Sequence, residues 1–222
     1  MRTFQKTAIS IASAALLIGG LAACSSTAST SGDSASTPSA NTSPTPIAQI
    51  DSLAGVDTQV TLDPGFLAAL TSLKLTPGVI GTATLTDGAL HFPITGGNVK
   101  YFDPKQSYRP YVQGEIDHNG SGISLTAGKT TVQLTNFVID PGTSKLMGTV
   151  SANGVKVADN VYIFSLHGQT LKPLYKDADG NAVLEGTEVY VSADAAALLD
   201  KTFGTTAVTD KLLVGVAKIT VK

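Results

Sequence analysis

From about residue 50 to the C-terminus, short β-prone runs alternate with glycine-centred turns, and a chain punctuated this often builds a core by stacking strands. The pattern predicts an all-β, sandwich-like antiparallel domain with strands near 58–62, 81–85, 89–95, 111–117, 122–126, 130–139, 145–151, 155–166, 187–191 and 213–221. The run 130–137 shows the two-residue period most clearly. Val132, Leu134 and Asn136 fall on one side, and Thr131, Gln133, Thr135 and Phe137 on the other. The polar-for-apolar exchange at Asn136 and Phe137 predicts a bulge or a change of face near the end of that strand. Asp87-Gly88 and Asn153-Gly154 are two-residue hairpin signals, because a type I′ turn needs positive φ at both central positions. Asp140-Pro141-Gly142 marks a longer turn.

Two short helices interrupt this pattern. Asp63-Pro64 supplies a cap and a first-turn proline ahead of Phe66, Leu67, Leu70 and Leu73, while Ser192 can cap 193–202 and Gly204 end it. Apolar residues three and four apart give each helix one face with which to cover an open end of the sheet assembly.

The chain ahead of this domain has a different character. Residues 1–23 have the parts of an export signal: Arg2 and Lys6, an apolar run over 8–18, and small residues before a cleavage point. That run is too short to span a bilayer stably, which takes about 20 apolar residues. Leu21-Ala22-Ala23-Cys24 resembles the lipobox of bacterial lipoproteins, which implies cleavage before Cys24 and lipid on its sulfur. The expected location is the outer face of a cell membrane, with the membrane itself as a partner through the anchor. Two or three acyl chains suffice for stable attachment, at about 0.8 kcal/mol per buried methylene. Residues 24–49 form the lipidated cysteine and a linker. Its 25–46 stretch is almost wholly Ser, Thr, Ala and Pro and is expected to be a disordered stalk, with a mean reach of roughly 25 Å. Residues 50–222 are the single globular domain.

Cys24 is the only cysteine, so no disulfide and no cysteine metal site can support the fold. Loss of Arg2 and Lys6 with the signal would leave 13 of the 15 basic residues against 17 acidic ones, a balance that argues against nucleic acid as a partner.

Three regions are candidates for chemistry. Gly114-Glu115-Ile116-Asp117-His118-Asn119-Gly120-Ser121-Gly122 sets an acid, a histidine and an amide side by side at the expected end of a strand. It reads either as a ligand-contacting loop centred on His118 and Asn119, or as a glycine turn whose histidine bonds its neighbours. Glu115 and Asp117 share the face opposite Ile116. Tyr101, Tyr108 and Tyr111 cluster with Phe102, Arg109, Lys100 and Lys105 between two strands, which suits a sugar, a flat organic molecule or a protein. Packing of those tyrosines on the sheet is the alternative. Asp177-Ala178-Asp179-Gly180-Asn181 departs from the calcium-loop register, because its glycine comes at the fourth position, and reads as an acidic hairpin turn. His91 and His167 read as strand-face and strand-end residues, and no histidine pair has zinc spacing, so no metal ligand is assigned. No G-x-S-x-G elbow, P-loop or dinucleotide fingerprint appears, so no catalytic residue is assigned and a non-enzymatic binding module of the envelope is expected.

Three segments, taken in order, point to a family. Leu90-His91-Phe92-Pro93-Ile94-Thr95-Gly96-Gly97, then 114–120, then 132–140 resemble the HtaA-type haem-uptake domain of secreted bacterial proteins, where a Phe-Pro near a glycine, a strand ending in Gly-His-x-Gly and a following apolar strand recur. The resemblance implies a shared fold and haem as ligand, with His118 in the place of the family histidine near the haem and Phe92-Pro93 at the strand entry. Members that bind haem use a tyrosine on the iron, in a Trp and Ser-Phe-x-x-Tyr context ahead of the Phe-Pro. The matching stretch here, 63–70, has no tyrosine, and the chain has no tryptophan.

Overall fold

The computed structural model describes residues 44–222. The export signal, Cys24 and the linker through Ser43 lie outside the described residues. Ile47 N–H donates to the Tyr101 carbonyl at 2.8 Å and a first strand starts at Ala48.

Among the described residues there are thirteen strands: β1 (Ala48–Ile50), β2 (Val56–Leu62), β3 (Thr76–Gly81), β4 (Thr84–Thr86), β5 (Ala89–Pro93), β6 (Gly96–Tyr101), β7 (Val112–Ala127), β8 (Thr130–Asp140), β9 (Lys145–Ala152), β10 (Val155–His167), β11 (Tyr175–Lys176), β12 (Ala182–Val191) and β13 (Leu213–Val221). They form one antiparallel sheet in the order β1-β6-β7-β8-β9-β10-β12-β13-β2-β5-β4, with β3 on β7 and β11 on β12. The sheet curls into a half-barrel. Its two wings therefore face each other, and the all-β, sandwich-like packing comes from one continuous sheet. One contiguous core fills the space between the wings, from Val60, Leu90 and Phe92 on one side to Ile116, Phe137 and Ile139 on the other.

The two helices form where the capping residues place them. In α1 (Pro64–Ser72), Asp63 accepts from the Gly65 N–H at 2.7 Å, and Phe66 and Leu70 are buried. In α2 (Ala193–Phe203), Ser192 accepts from the Ala195 N–H at 3.0 Å, and Gly204 ends the helix in the left-handed region at φ 67°. Both helices leave the sheet at the same end. Leu62 pairs with Gly215, and Tyr190 with Leu213, so α1 and α2 link strands at one pole. As expected, they cover an end of the assembly.

Two expectations about elements change. The strands expected at 111–117 and 122–126 are one strand, β7, whose ladder with β8 skips between His118 and Gly122. Gly122 sits so close to β8 that a Cβ there would lie 2.2 Å from the Leu134 carbonyl oxygen, which only glycine permits. The strand expected at 81–85 is instead the end of β3 and the start of β4, divided at Thr82 and Ala83. The bulge expected near Asn136 is present: Asn136 has φ 52°, and the register with β9 shifts between Thr135 and Val138. The shift returns Phe137 and Ile139 to the buried face that Val132 and Leu134 occupy.

Candidate functional site

A cavity of about 920 Å³ lies inside the curl, at the upper end of the range for small-molecule sites. Its inner walls come from both wings: Val60, Leu90 and Phe92 on β2 and β5, Ile116, Phe137 and Ile139 on β7 and β8, Phe164 on β10, and Val189, Val214 and Ala217 on β12 and β13. All of these residues are buried. The exposed wall residues gather at one end: Arg109 and Pro110 before β7, and His167 and Gln169 at and after the close of β10. These positions share a pole because β7 starts where β10 finishes, and the helices cap the opposite pole. The cavity thus has an apolar interior and a polar mouth.

The interior contains one polar pair. His118 is 1% exposed, and its Nε2 lies 2.8 Å from the Thr58 hydroxyl, across the curl on β2. Its Nδ1 faces the Phe137 carbonyl oxygen at 3.3 Å. A carbonyl only accepts, so the network assigns the proton to Nδ1 and leaves Nε2 to accept from Thr58. Burial, the largest influence, lowers the imidazole pKa from 6.5 to about 4, so the ring is neutral near pH 7. Phe92 packs edge-on against His118 at 6.3 Å and against Phe137 at 5.3 Å. His118 is thus a satisfied core residue that also lines the cavity, where the sequence placed it in a loop.

The other sequence candidates separate. Asn119 is exposed on the bulge, with its N–H donating to the Thr95 hydroxyl at 2.9 Å, and is not among the described residues that line the cavity. Glu115 and Asp117 alternate with the buried Ile116 and His118, so they point away from the interior. Tyr101 ends β6 as a buried residue, edge-on to Tyr111 at 5.8 Å, and Tyr108 packs on Phe102 at 4.8 Å. Of the three tyrosines, only Tyr111 borders the cavity. Its hydroxyl donates to the Gly168 carbonyl at 3.4 Å, tying the two sides of the mouth together. Burial, and then Tyr101 beside it, raise its pKa, so the phenol stays protonated.

His167 and the 168–171 turn are at the mouth, where the sequence placed only a strand end. The His167 ring lies over Tyr190 with centroids 4.4 Å apart. Residue-type spacing gave no sign of this, because the mouth is assembled from segments about 60 positions apart; a histidine closing a long apolar strand was the one available signal. His91, on β5, has Nδ1 2.6 Å from the Asp57 carboxylate and is not a cavity residue. Asp177 accepts from the N–H groups of Asp179 at 3.0 Å and Asn181 at 2.8 Å, as an acidic hairpin turn requires. The Asn181 side-chain bond is the main influence holding its carboxyl below the ordinary range.

The volume and apolar walls fit a macrocycle of the haem type. Iron would find fewer donors: the one lone pair of His118 already receives Thr58, no residue of α1 is among the described lining residues, and His167 at the mouth is the imidazole not engaged in this way. No protein-family model matches the chain, and no curated protein matches it. Two solved structures share its fold. The C-terminal domain of HtaA from Corynebacterium glutamicum aligns with TM-score 0.50 and 13% identity over 78% of this chain and 99% of that one. The haem-binding protein HtaB from the same organism aligns with TM-score 0.50 and 7% identity over 79% and 96%. The resemblance read in the sequence therefore holds at the level of the fold.

Proposed function

We propose that this chain, whose fold is that of the HtaA and HtaB domains, is a non-enzymatic binding module of the cell envelope that encloses haem in the cavity of its curled sheet. The observation that carries the reading is the cavity: about 920 Å³, walled by apolar side chains from both wings and open at one pole. Such walls favour a large, flat, mainly apolar ligand, because burying its surface contributes about 25 cal/mol per Å². His167 is the residue that would hold iron, and the ligated metal would supply a redox-active centre with a shifted Soret absorption. The tyrosine ligation of haem-binding family members has no counterpart in 63–70. Attachment at Cys24 to a membrane belongs to the same proposal, with the domain displayed outside the cell.

Titration of the detergent-solubilised full chain with haemin tests this reading. We expect a saturable Soret shift at one equivalent, with the band position altered in His167→Ala. An unshifted band, with an apolar fluorescent dye still taken up, would leave a binding module for some other apolar molecule. Uptake of neither would remove the cavity as a binding site.

A further inference from the structure

We infer that the cavity mouth is a carboxylate-recognition subsite built on Arg109, so that the ligand is an amphiphile that enters apolar part first and leaves its carboxylate at the rim. The inference rests on the cavity reading above and adds the chemical class of the ligand. Among the described residues that line the cavity there is no Asp, Glu or Lys, and Arg109 is the one arginine. A cavity of otherwise neutral walls thus carries a fixed positive charge at its entrance, in a chain whose formal net charge is −2.

The guanidinium is held in place without being neutralised. Nη1 donates to the carbonyls of Gln106 at 2.6 Å and Tyr108 at 2.8 Å, and Nη2 to that of Pro104 at 3.0 Å. It also sits 5.4 Å from the centre of the Tyr111 ring, which forms the next part of the rim. Three carbonyls occupy at most three of the five N–H groups, which leaves donors for the two oxygens of one carboxylate. A phosphate ester has more oxygens and more charge than one such cation satisfies, and the remaining rim side chains, among them Gln169, Ser144 and Thr187, are uncharged. The long arginine side chain has already lost its rotamer freedom to these carbonyls, so little ordering remains when the ligand docks. Val112 and Leu146, both apolar and buried, line the same cavity.

Two sources supply this chemistry: the propionates of a haem-type macrocycle and the head of a long-chain fatty acid. Binding of haemin is compared with that of haemin dimethyl ester, and binding of palmitate with that of hexadecanol, on the wild-type full chain and on Arg109→Gln. We expect the acid of at least one pair to bind wild type roughly 10- to 100-fold more tightly than its uncharged partner, the range for a charge-assisted contact. That preference should vanish in Arg109→Gln, while affinity for the uncharged partner is unchanged. Which pair shows the preference identifies the source. Equal binding of acid and uncharged forms by wild type overturns the carboxylate subsite and leaves the cavity reading intact; binding of none of the four overturns both. Arg109 also braces its own loop, so Arg109→Lys, with its melting temperature compared with wild type, separates loss of the loop from loss of the contact; a preference retained in a folded Arg109→Gln overturns the assignment.

Discussion

The His118 side chain, buried on β7, reaches across the curl to Thr58 on β2. Its 1% exposure and its bond to Thr58 make it a tie between the two wings of the curl. The folded state keeps the ring neutral down to a pKa of about 4, whereas the unfolded chain protonates it near 6.5. Between those values the unfolded state binds more protons, so stability is fully present above about pH 6.5 and falls as the pH drops toward 4. The depression corresponds to about 3 kcal/mol. We expect thermal midpoints measured from pH 7 to 4.5 to fall steeply in wild type and much less in His118→Gln. The variant should also be less stable at pH 7 by about 1–3 kcal/mol, because Thr58 loses its buried acceptor. An equal fall in the variant would assign the acid sensitivity to other groups. The glycines around His118 mark it in the local pattern, but its partner lies 60 positions away, and nothing in local pattern reports such a contact.

Elements with their own signals were legible, and those created by pairing were not. The cap residues Asp63 and Ser192, the αL stop at Gly204 and the alternation around Val132 and Leu134 act within a few residues, so α1, α2 and β8 follow directly from them. β3 and β6 lack such signals: Pro77 and Gly78 interrupt the first, Gly96 and Gly97 open the second. They are strands because β7 is long enough to pair with both, β6 along its first half and β3 along its second. Close approach explains the glycines of β6 and β7. A Cβ on Gly97 would lie 2.0 Å from the Glu115 carbonyl oxygen, and one on Gly114 2.1 Å from that of Asn98, so residues that look like a loop composition are the condition for the strands to meet. The candidate site shared this fate. Tyr111 and His118 carry local signals, but Arg109 is only one of several cations around the tyrosines, and His167 reads as no more than a strand end because its place at the mouth depends on where β10 ends relative to β7.

At the scale of the whole molecule, direction matters. β1 runs antiparallel to β6, and Ala48 lies opposite Tyr101, which in turn lies opposite Val112. The chain therefore enters the sheet at the pole of the mouth. If Cys24 carries lipid, replacing it with Ala should move the protein from the membrane fraction to the medium or leave the signal uncleaved. A Cys24→Ala protein processed and membrane-held as before would end the lipoprotein reading. The cavity also has a mechanical consequence. Hydrostatic pressure favours whichever state takes up less volume, and unfolding removes internal voids roughly in proportion to their size. The cavity of about 920 Å³ is open at one pole and walled by both wings, so a molecule in contact with both walls would join them across the curl. The pressure at which the tyrosine fluorescence reports half-unfolding should rise when the ligand is added, because binding to the folded state alone adds to its stability.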